Sequence, residues 1–319
     1  MRIFRHFDDL PDDVLGGAVA IGNFDGVHRG HHAVIAEAGR IAKAAGHPWG
    51  VLTLEPHPRH IFTPGEPPFR LTPFRIKARH IEALGVDYLT VLHFDKDFSR
   101  RSADSFVHDV LVGGLKANHV VCGYDFVFGH GRKGDSEMLL RMGKEEGYGF
   151  TCVPPYNDED GIVFSSTRAR ECLKAGDPKG AAHVLGRCFE IEGRVEHGDN
   201  RGHTIGFPTA NIHLDEYIRP ATGVYAVKGG VDLGVDTVWL EGVANFGNRP
   251  TFDGQGVVLE VHFFDYDEDL YAKHLRIAFV DYIRPEKKFD GIEDLKAQIA
   301  KDAAKAKEIL AGHNCKITI

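Results

Sequence analysis
A short apolar run, Ala18 to Ile21, gives way to Gly22-Asn-Phe-Asp-Gly-Val-His-Arg-Gly-His31, and an amphipathic segment follows at once. This junction constrains the fold more than any other stretch. An apolar run of that length is expected of a strand buried on both faces of a parallel sheet. Beyond it, Val34, Ile35, Ala38, Ile41, Ala42 and Ala45 recur at the spacing of one helix face. A strand handing over to a helix through a glycine-rich loop is the start of a parallel crossover unit. The loop places His28 and His31, with Gly30 between them, at the helix N-terminus. Free backbone N–H groups and the helix dipole make that position an anion site. Imidazoles there donate to phosphate oxygens, where a carboxylate could only accept. Gly22, Gly26 and Gly30 let a ligand approach the backbone, and Asn23, Phe24 and Asp25 complete the loop.

The pattern repeats through the first half. Strand-like runs at 49–54, 88–94, 119–122 and 150–153 alternate with helix-like segments from Thr72, at 102–112 and at 136–146. Thr72 is expected to cap its helix, with Pro73 at the first helical position. Alternation implies a parallel sheet covered on both faces, with ligands at the C-terminal ends of the strands. The loops bearing His28, Glu55-Pro-His-Pro58 and Gly123–Gly131 all follow strands and are expected to meet in one crevice. Tyr124, Phe126 and Phe128, around Asp125, offer faces on which a planar ring can stack. Further on, Ser165-Ser166-Thr167-Arg168 reads as a helix start, whose hydroxyls, N–H groups and guanidinium suit a leaving pyrophosphate.

Composition bounds the rest. A chain of 319 residues exceeds one ordinary domain, so two are expected. Its 43% hydrophobic and 26% charged residues suit a globular protein with full cores. A net charge of -8 argues against a general nucleic-acid binder and leaves room for local basic pockets. Cys122, Cys152, Cys172, Cys188 and Cys315 form no CxxC pair and are odd in number. They are expected as thiols of a reducing compartment, neither a disulfide frame nor a zinc site. The 19 histidines include no HExxH arrangement, so none is assigned a metal. The N-terminal segment lacks the apolar core of a signal peptide, and no apolar run approaches the roughly 18 residues of a membrane span. A cytoplasmic protein with neither membrane nor nucleic acid as partner is expected.

The texture changes between Leu173 and Arg187, a Gly/Ala-rich stretch, and the boundary is placed there, giving domains over 1–186 and 187–319. Strand-like runs then follow without helices between them, at 189–196, 223–227, 238–244, 257–264 and 275–280. Many strands punctuated by Gly and Pro predict a closed barrel or a sandwich. One helix closes the chain, with Ile292, Leu295, Ile299, Ala303, Ala306 and Leu310 as its stripe and Asp290 with Glu293 as a capping box. After the first of these strands come Gly198, Gly202, His203 and Gly206, then Pro208, Thr209 and Asn211. No Gly-Lys-Ser/Thr follows, so this is no Walker-type loop. In an extended chain Thr209 and Asn211 point the same way. A hydroxyl and an amide oxygen together suit Mg²⁺ and the phosphates of a nucleotide. Taken alone, Gly206–Asn211 reads better as a proline turn entering a strand. Glu260 lies on the strand face opposite Leu259, Val261 and Phe263, where a lone glutamate reads by default as a surface residue of a half-buried strand.

Gly22 to His31 resembles the signature of the nucleotidylyltransferases and, within them, of the bacterial bifunctional riboflavin kinase/FAD synthetases. Phe164 to Arg170 is similar to that family's SSTxxR element, and Thr53–Pro58 and Tyr124–Gly129 resemble further pieces of it. The second half resembles the family's riboflavin-kinase markers in order: Gly206–Asn211, Gly223–Ala226, Gly242–Phe252, Leu259–His262 and Arg284–Phe289. The likeness runs from about residue 16 to 310.

The resemblance implies an α/β plus all-β protein: an N-terminal Rossmann-like parallel sheet, then a riboflavin-kinase β-barrel with a closing helix. It implies that riboflavin is phosphorylated by ATP to FMN, and that FMN is then adenylylated by a second ATP to FAD. Riboflavin, ATP, FMN and FAD are the implied partners, Mg²⁺ the implied cofactor, and a monomer or weak homo-oligomer the implied state. For adenylyl transfer it assigns Gly22, Asn23, Phe24, Asp25, His28, His31, Ser166, Thr167 and Arg168 to ATP and its phosphates, and Tyr124, Asp125, Phe126 and Phe128 to flavin. For the kinase it assigns Gly198, Gly202, His203, Gly206, Pro208, Thr209 and Asn211 to ATP, Thr209 and Asn211 to the metal, and Glu260 as base. His28 and His31 are the implied catalytic pair of the first reaction. Two positions depart from the pattern: His203 stands where the family usually has arginine, and Ala272 where it commonly has glycine. An adenylyltransferase for another acceptor would have no use for Thr209, Asn211 and Glu260, and a non-catalytic flavin binder would lack intact chemical positions.

Overall fold
The computed structural model describes residues 1–196, 207–214, 216–232, 237–251, 254–266 and 268–312. Gly198, Gly202, His203 and Gly206 therefore lie outside the described residues. Contacts divide the chain into two compact units, Met1–Pro67 with Thr72–Ser165, and Pro68–Leu71 with Ser166–Ile319.

The first unit is a six-stranded parallel sheet. Strands β1 (Arg2–Phe4), β2 (Ala18–Ile21), β3 (Trp49–Glu55), β4 (Tyr88–His93), β5 (His119–Gly123) and β6 (Gly149–Val153) lie in the order β1-β4-β3-β2-β5-β6. The central β2 is buried throughout, and its residues alternate between two cores: Val19 and Ile21 join one, Ala20 the other. Helices α1 (Arg29–Ala45) and α3 (Phe74–Glu82) supply the second core. Helix α4 (Ala103–Ser105), which widens into π-type turns over Phe106–Gly114, and α5 (Ser136–Glu146) supply the first. A short helix α2 (Pro58–Phe62) follows β3. Helix α1 buries Val34, Ile35, Ala38 and Ala42, and stops at Gly46 in the left-handed conformation. Ala45, expected on the same stripe, is exposed.

In the second unit β7 (Phe189–Glu196), β8 (Ala210–His213), β9 (Gly223–Asp232), β10 (Thr237–Thr251), β11 (Gly254–Phe263) and β12 (His274–Arg284) close into a barrel, β10-β11-β8-β7-β12-β9. The choice between barrel and sandwich is thus settled in favour of closure. Helix α8 (Ile292–Ala311) covers one flank, where Ala306 and Leu310 pack on Val224, Val243, Ala278 and Val280. The alternate residues Leu275, Ile277 and Phe279, also fully buried, face the barrel interior. Helices α6 (Ser166–Lys174) and α7 (Pro178–Leu185) belong to this unit, and Lys179 of α7 pairs with Asp281 of β12 at 2.6 Å. Contacts thus divide the chain earlier than the composition shift at 173–187.

Several local expectations are corrected. Thr72 does not cap α3: Pro73 occupies that position, and the Thr72 hydroxyl accepts the Gly26 N–H at 2.7 Å. The capping box at Asp290 and Glu293 does not form, because Gly291 is the cap and no side chain bonds to it. Ile292 is 58% exposed, outside the stripe that Ala306 and Leu310 bury. Cys122, Cys152 and Cys172 are free thiols as expected, and burial pushes the Cys122 thiol up to about 12, so it stays protonated and inert. Cys188 departs from the expectation: it is disulfide-bonded.

Candidate active site
The β2–α1 loop of the first unit is built around His28. It caps α1 in an extended conformation, φ -77° and ψ 172°, and its Nδ1 accepts the His31 N–H at 3.3 Å. That bond leaves the proton of the neutral imidazole on Nε2, which makes Nε2 a donor. The rings of His28 and His31 stack at 3.6 Å between centroids, and the edge of Phe24 meets His31 at 5.2 Å. Gly30 makes the stack possible. A Cβ there would lie 3.0 Å from His28 Cε1 and 3.0 Å from the Phe164 carbonyl oxygen.

The loop is strained and held from behind. Phe24 and Val27 have φ of 48° and 39°, a region that costs a non-glycine residue about 1–2 kcal/mol. Asp25 is buried, and its carboxylate accepts the Thr72 N–H at 3.0 Å. The Asn23 carbonyl accepts from Lys77 Nζ at 2.9 Å and from the Thr53 hydroxyl at 3.2 Å. Lys77, whose side chain is fully buried, also pairs with Glu55 at 2.7 Å. Sequence reasoning placed Thr53 and Glu55 in a segment leading to the crevice without giving either a role, and it missed Lys77. The signal for Lys77 is its place one turn before Ile81 on the buried face of α3.

Gly22 and Asn23 also line a cleft of about 740 Å³ in the same unit. Phe94, Phe98, Phe106, Phe126 and Phe128 make its walls, and Phe126 stacks on Phe128 at 5.7 Å with planes 15° apart. Arg59, Arg101 and Arg132 add cations to the lining, and no carboxylate belongs to it among the described residues. An apolar aromatic slot with cations at hand suits a flat ring carrying an anion. Tyr124 and Asp125 are exposed and are not in this lining. Ser166, Thr167 and Arg168 open α6 of the second unit.

The second unit has its own cleft of about 360 Å³, on the outer face of the barrel beside α8. Thr209, Glu260 and His262 line it from one side, and Leu295, Ile299 and Asp302 of α8 from another. Strand register pairs Glu260 with Asn211, so both side chains emerge on one face. On the other face Leu259, Val261 and Phe263 are buried. His262 Nδ1 bonds the Pro208 carbonyl at 2.9 Å, which ties Pro208 and Thr209 to β11. Thr209 is exposed, so its hydroxyl is accessible from the cleft. Asp302, buried on α8, holds Arg284 through bonds of 2.7, 2.9 and 3.1 Å. This pair, also missed from sequence, fixes the end of β12 against the helix. Thr209 and Glu260 thus line the cleft, while Asn211, placed opposite Glu260 by register, does not belong to its lining.

Comparison with known proteins finds relatives of both parts of the chain. The family model for FAD synthetase matches residues 11–168, and that for riboflavin kinase matches residues 185–310. A bifunctional riboflavin kinase/FMN adenylyltransferase of Escherichia coli K12 is 40% identical over 97% of this chain and 97% of its own length. One from Bacillus subtilis is 39% identical over 93% of each. A crystal structure from Streptococcus pneumoniae, described as a macrolide-efflux protein, superposes with a TM-score of 0.83 at 30% identity, covering 98% of this chain and 99% of that one.

Proposed function
Because this chain belongs to the family of bifunctional riboflavin kinase/FMN adenylyltransferases, it phosphorylates riboflavin to FMN and adenylylates FMN to FAD, and we propose how its residues divide that work. Residues 1–186 carry adenylyl transfer and residues 187–319 the kinase reaction.

In the kinase reaction the ribityl 5′-hydroxyl of riboflavin attacks the γ-phosphorus of ATP. Its proton passes to Glu260 as the new P–O bond forms and the bond to ADP breaks. Thr209 and Asn211 would hold the divalent cation that these enzymes use with ATP, here Mg²⁺, which would supply neutralisation of phosphate charge. Their oxygen donors beside Glu260 fit a hard cation. Gly198, Gly202, His203, Gly206 and Pro208 form the loop around the ATP phosphates.

In adenylyl transfer a phosphate oxygen of FMN attacks the α-phosphorus of ATP, and pyrophosphate leaves. The nucleophile is already anionic, so no strong base is required. His28 donates from Nε2 to the transferring phosphoryl group, with His31 stacked behind it. Gly22, Asn23, Phe24 and Asp25 shape the phosphate loop, and Ser166, Thr167 and Arg168 receive the pyrophosphate. The flavin ring lies in the aromatic cleft against Phe126 and Phe128, with Tyr124 and Asp125 at the edge of that segment. We take the protein to be cytoplasmic, a monomer or weak homo-oligomer, with neither membrane nor nucleic acid as partner. Among the described residues no helix is long and apolar enough to cross a membrane.

The observation that carries this reading is the His28 imidazole, pinned through Nδ1 at the helix cap so that Nε2 is left to donate. The test separates the two reactions. His28→Ala should lower FAD formation by about 10²–10³ and leave riboflavin phosphorylation intact. Glu260→Gln should do the reverse, and the two variants mixed should restore riboflavin-to-FAD conversion. Loss of both reactions in each folded variant would refute the division.

A further inference from the structure
The loop that carries His28 combines two non-glycine residues at positive φ, Phe24 and Val27, with a charged group bonded to its backbone from behind. Lys77 Nζ reaches the Asn23 carbonyl at 2.9 Å and Glu55 at 2.7 Å, and its side chain is 0% exposed. A buried ion pair is a poor device for stability alone, because apolar side chains of similar volume do as well or better. The Thr53 hydroxyl shares the same carbonyl at 3.2 Å, and Thr72 holds the far side of the loop through Gly26 and Asp25. A trans peptide carries its N–H opposite its C=O, so a bond that draws the Asn23 carbonyl toward α3 turns the Phe24 N–H away from it. Strained backbone of this kind persists only where its surroundings over-determine it.

We propose that Lys77 is a positioning residue for adenylyl transfer, which holds the Asn23–Phe24 peptide, and through it the His28 loop, in the conformation that acts on ATP. This rests on the function proposed above. Methionine at this position would fill the volume and leave the Asn23 carbonyl with the longer Thr53 bond. The loop then relaxes away from the positive-φ conformation while the aromatic walls of the cleft stay in place.

The test uses the full chain and compares Lys77→Met and Thr53→Val with the wild type. Four quantities are read: kcat for FAD formation, FMN affinity by calorimetry, riboflavin phosphorylation in the same preparation, and thermal unfolding. Lys77→Met should lower kcat for FAD formation about 10–100-fold, with FMN affinity within about threefold and the kinase reaction unchanged. Thr53→Val, which keeps the ammonium, should lose about threefold to fivefold in kcat. A Lys77→Met kcat within about twofold of wild type overturns the proposal. So does a loss of FMN binding in step with kcat, which marks a merely structural residue. Should Lys77→Met not fold, Thr53→Val decides: a lower kcat at unchanged FMN affinity supports the proposal, and an unchanged kcat overturns it. Wild-type protein that makes no FAD would refute the function itself, a different outcome from either.

Discussion

Gly30→Ala separates the stability of the first unit from its chemistry. Alanine in place of glycine inside a helix gains about 0.5–1 kcal/mol. Against that, the new methyl meets His28 Cε1 and the Phe164 carbonyl oxygen, both at 3.0 Å, and His28 Nδ1 at 3.1 Å. Carbon contacts relax toward 3.5 Å or more, so the ring or the helix start must give by a few tenths of an ångström, and crowding of this order costs about 1–3 kcal/mol. The net loss is about 0–2 kcal/mol, a fall of a few degrees in unfolding temperature for a unit of this size. The effect on chemistry is larger. His28 Nε2 is aimed by a 3.3 Å bond at Nδ1, and a displaced donor forfeits a large part of the 10²–10³ that one such donor supplies. FAD formation from FMN should fall about 10–100-fold in kcat, with riboflavin phosphorylation unchanged. Steady-state assays of both reactions beside calorimetric unfolding read the split. A variant that forms FAD within about twofold of the wild-type rate, though folded, would show that the His28 ring position is not what limits the reaction.

Ala272 has φ of 58° and donates its N–H to the Val195 carbonyl at 3.1 Å. Ala272→Gly should therefore stabilise the barrel by about 1 kcal/mol, less the extra freedom glycine brings to the unfolded chain, and thermal unfolding checks it. Burial holds His119 below the ordinary histidine value of about 6.5. The unfolded chain thus binds more protons below that pH, and the stability His119 contributes is full above it and lost as pH falls through the depressed value. Unfolding of His119→Gln followed from pH 7 to 5 should show a flatter dependence than wild type. Both reactions should stop on chelation of divalent metal and return with Mg²⁺ but not with Zn²⁺ alone, as product separation would show.

The sheet was legible because its strands are apolar runs with helices between them, and the site because His28 and His31 stand where a strand meets a helix. Less legible was what tertiary partners decide. Thr72 has the chemistry of a cap, yet Gly26 and Asp25 offer its hydroxyl and N–H better-buried partners. Strand β1 has two exposed residues of three and no alternation to read. Segment 102–112 carries a helical pattern, but nothing in that pattern distinguishes α-helical from π-type turns. In the barrel, Glu260 and Asn211 lie on different strands, and register alone brings them opposite one another. Lys77 lies on the apolar face of α3, but the carbonyl and carboxylate it meets come from distant segments. Pairings of this kind belong to the folded chain and leave no local mark.

Strand order also sets an order in time. Sheet pairing in the first unit is complete once β6 has been synthesised, at Val153. The barrel cannot close until β12 arrives to join β7 to β9. Domains tend to fold as they emerge, N-terminal first. A nascent chain therefore holds a finished adenylyltransferase sheet well before its own kinase exists. The half that consumes FMN matures before the half that produces it.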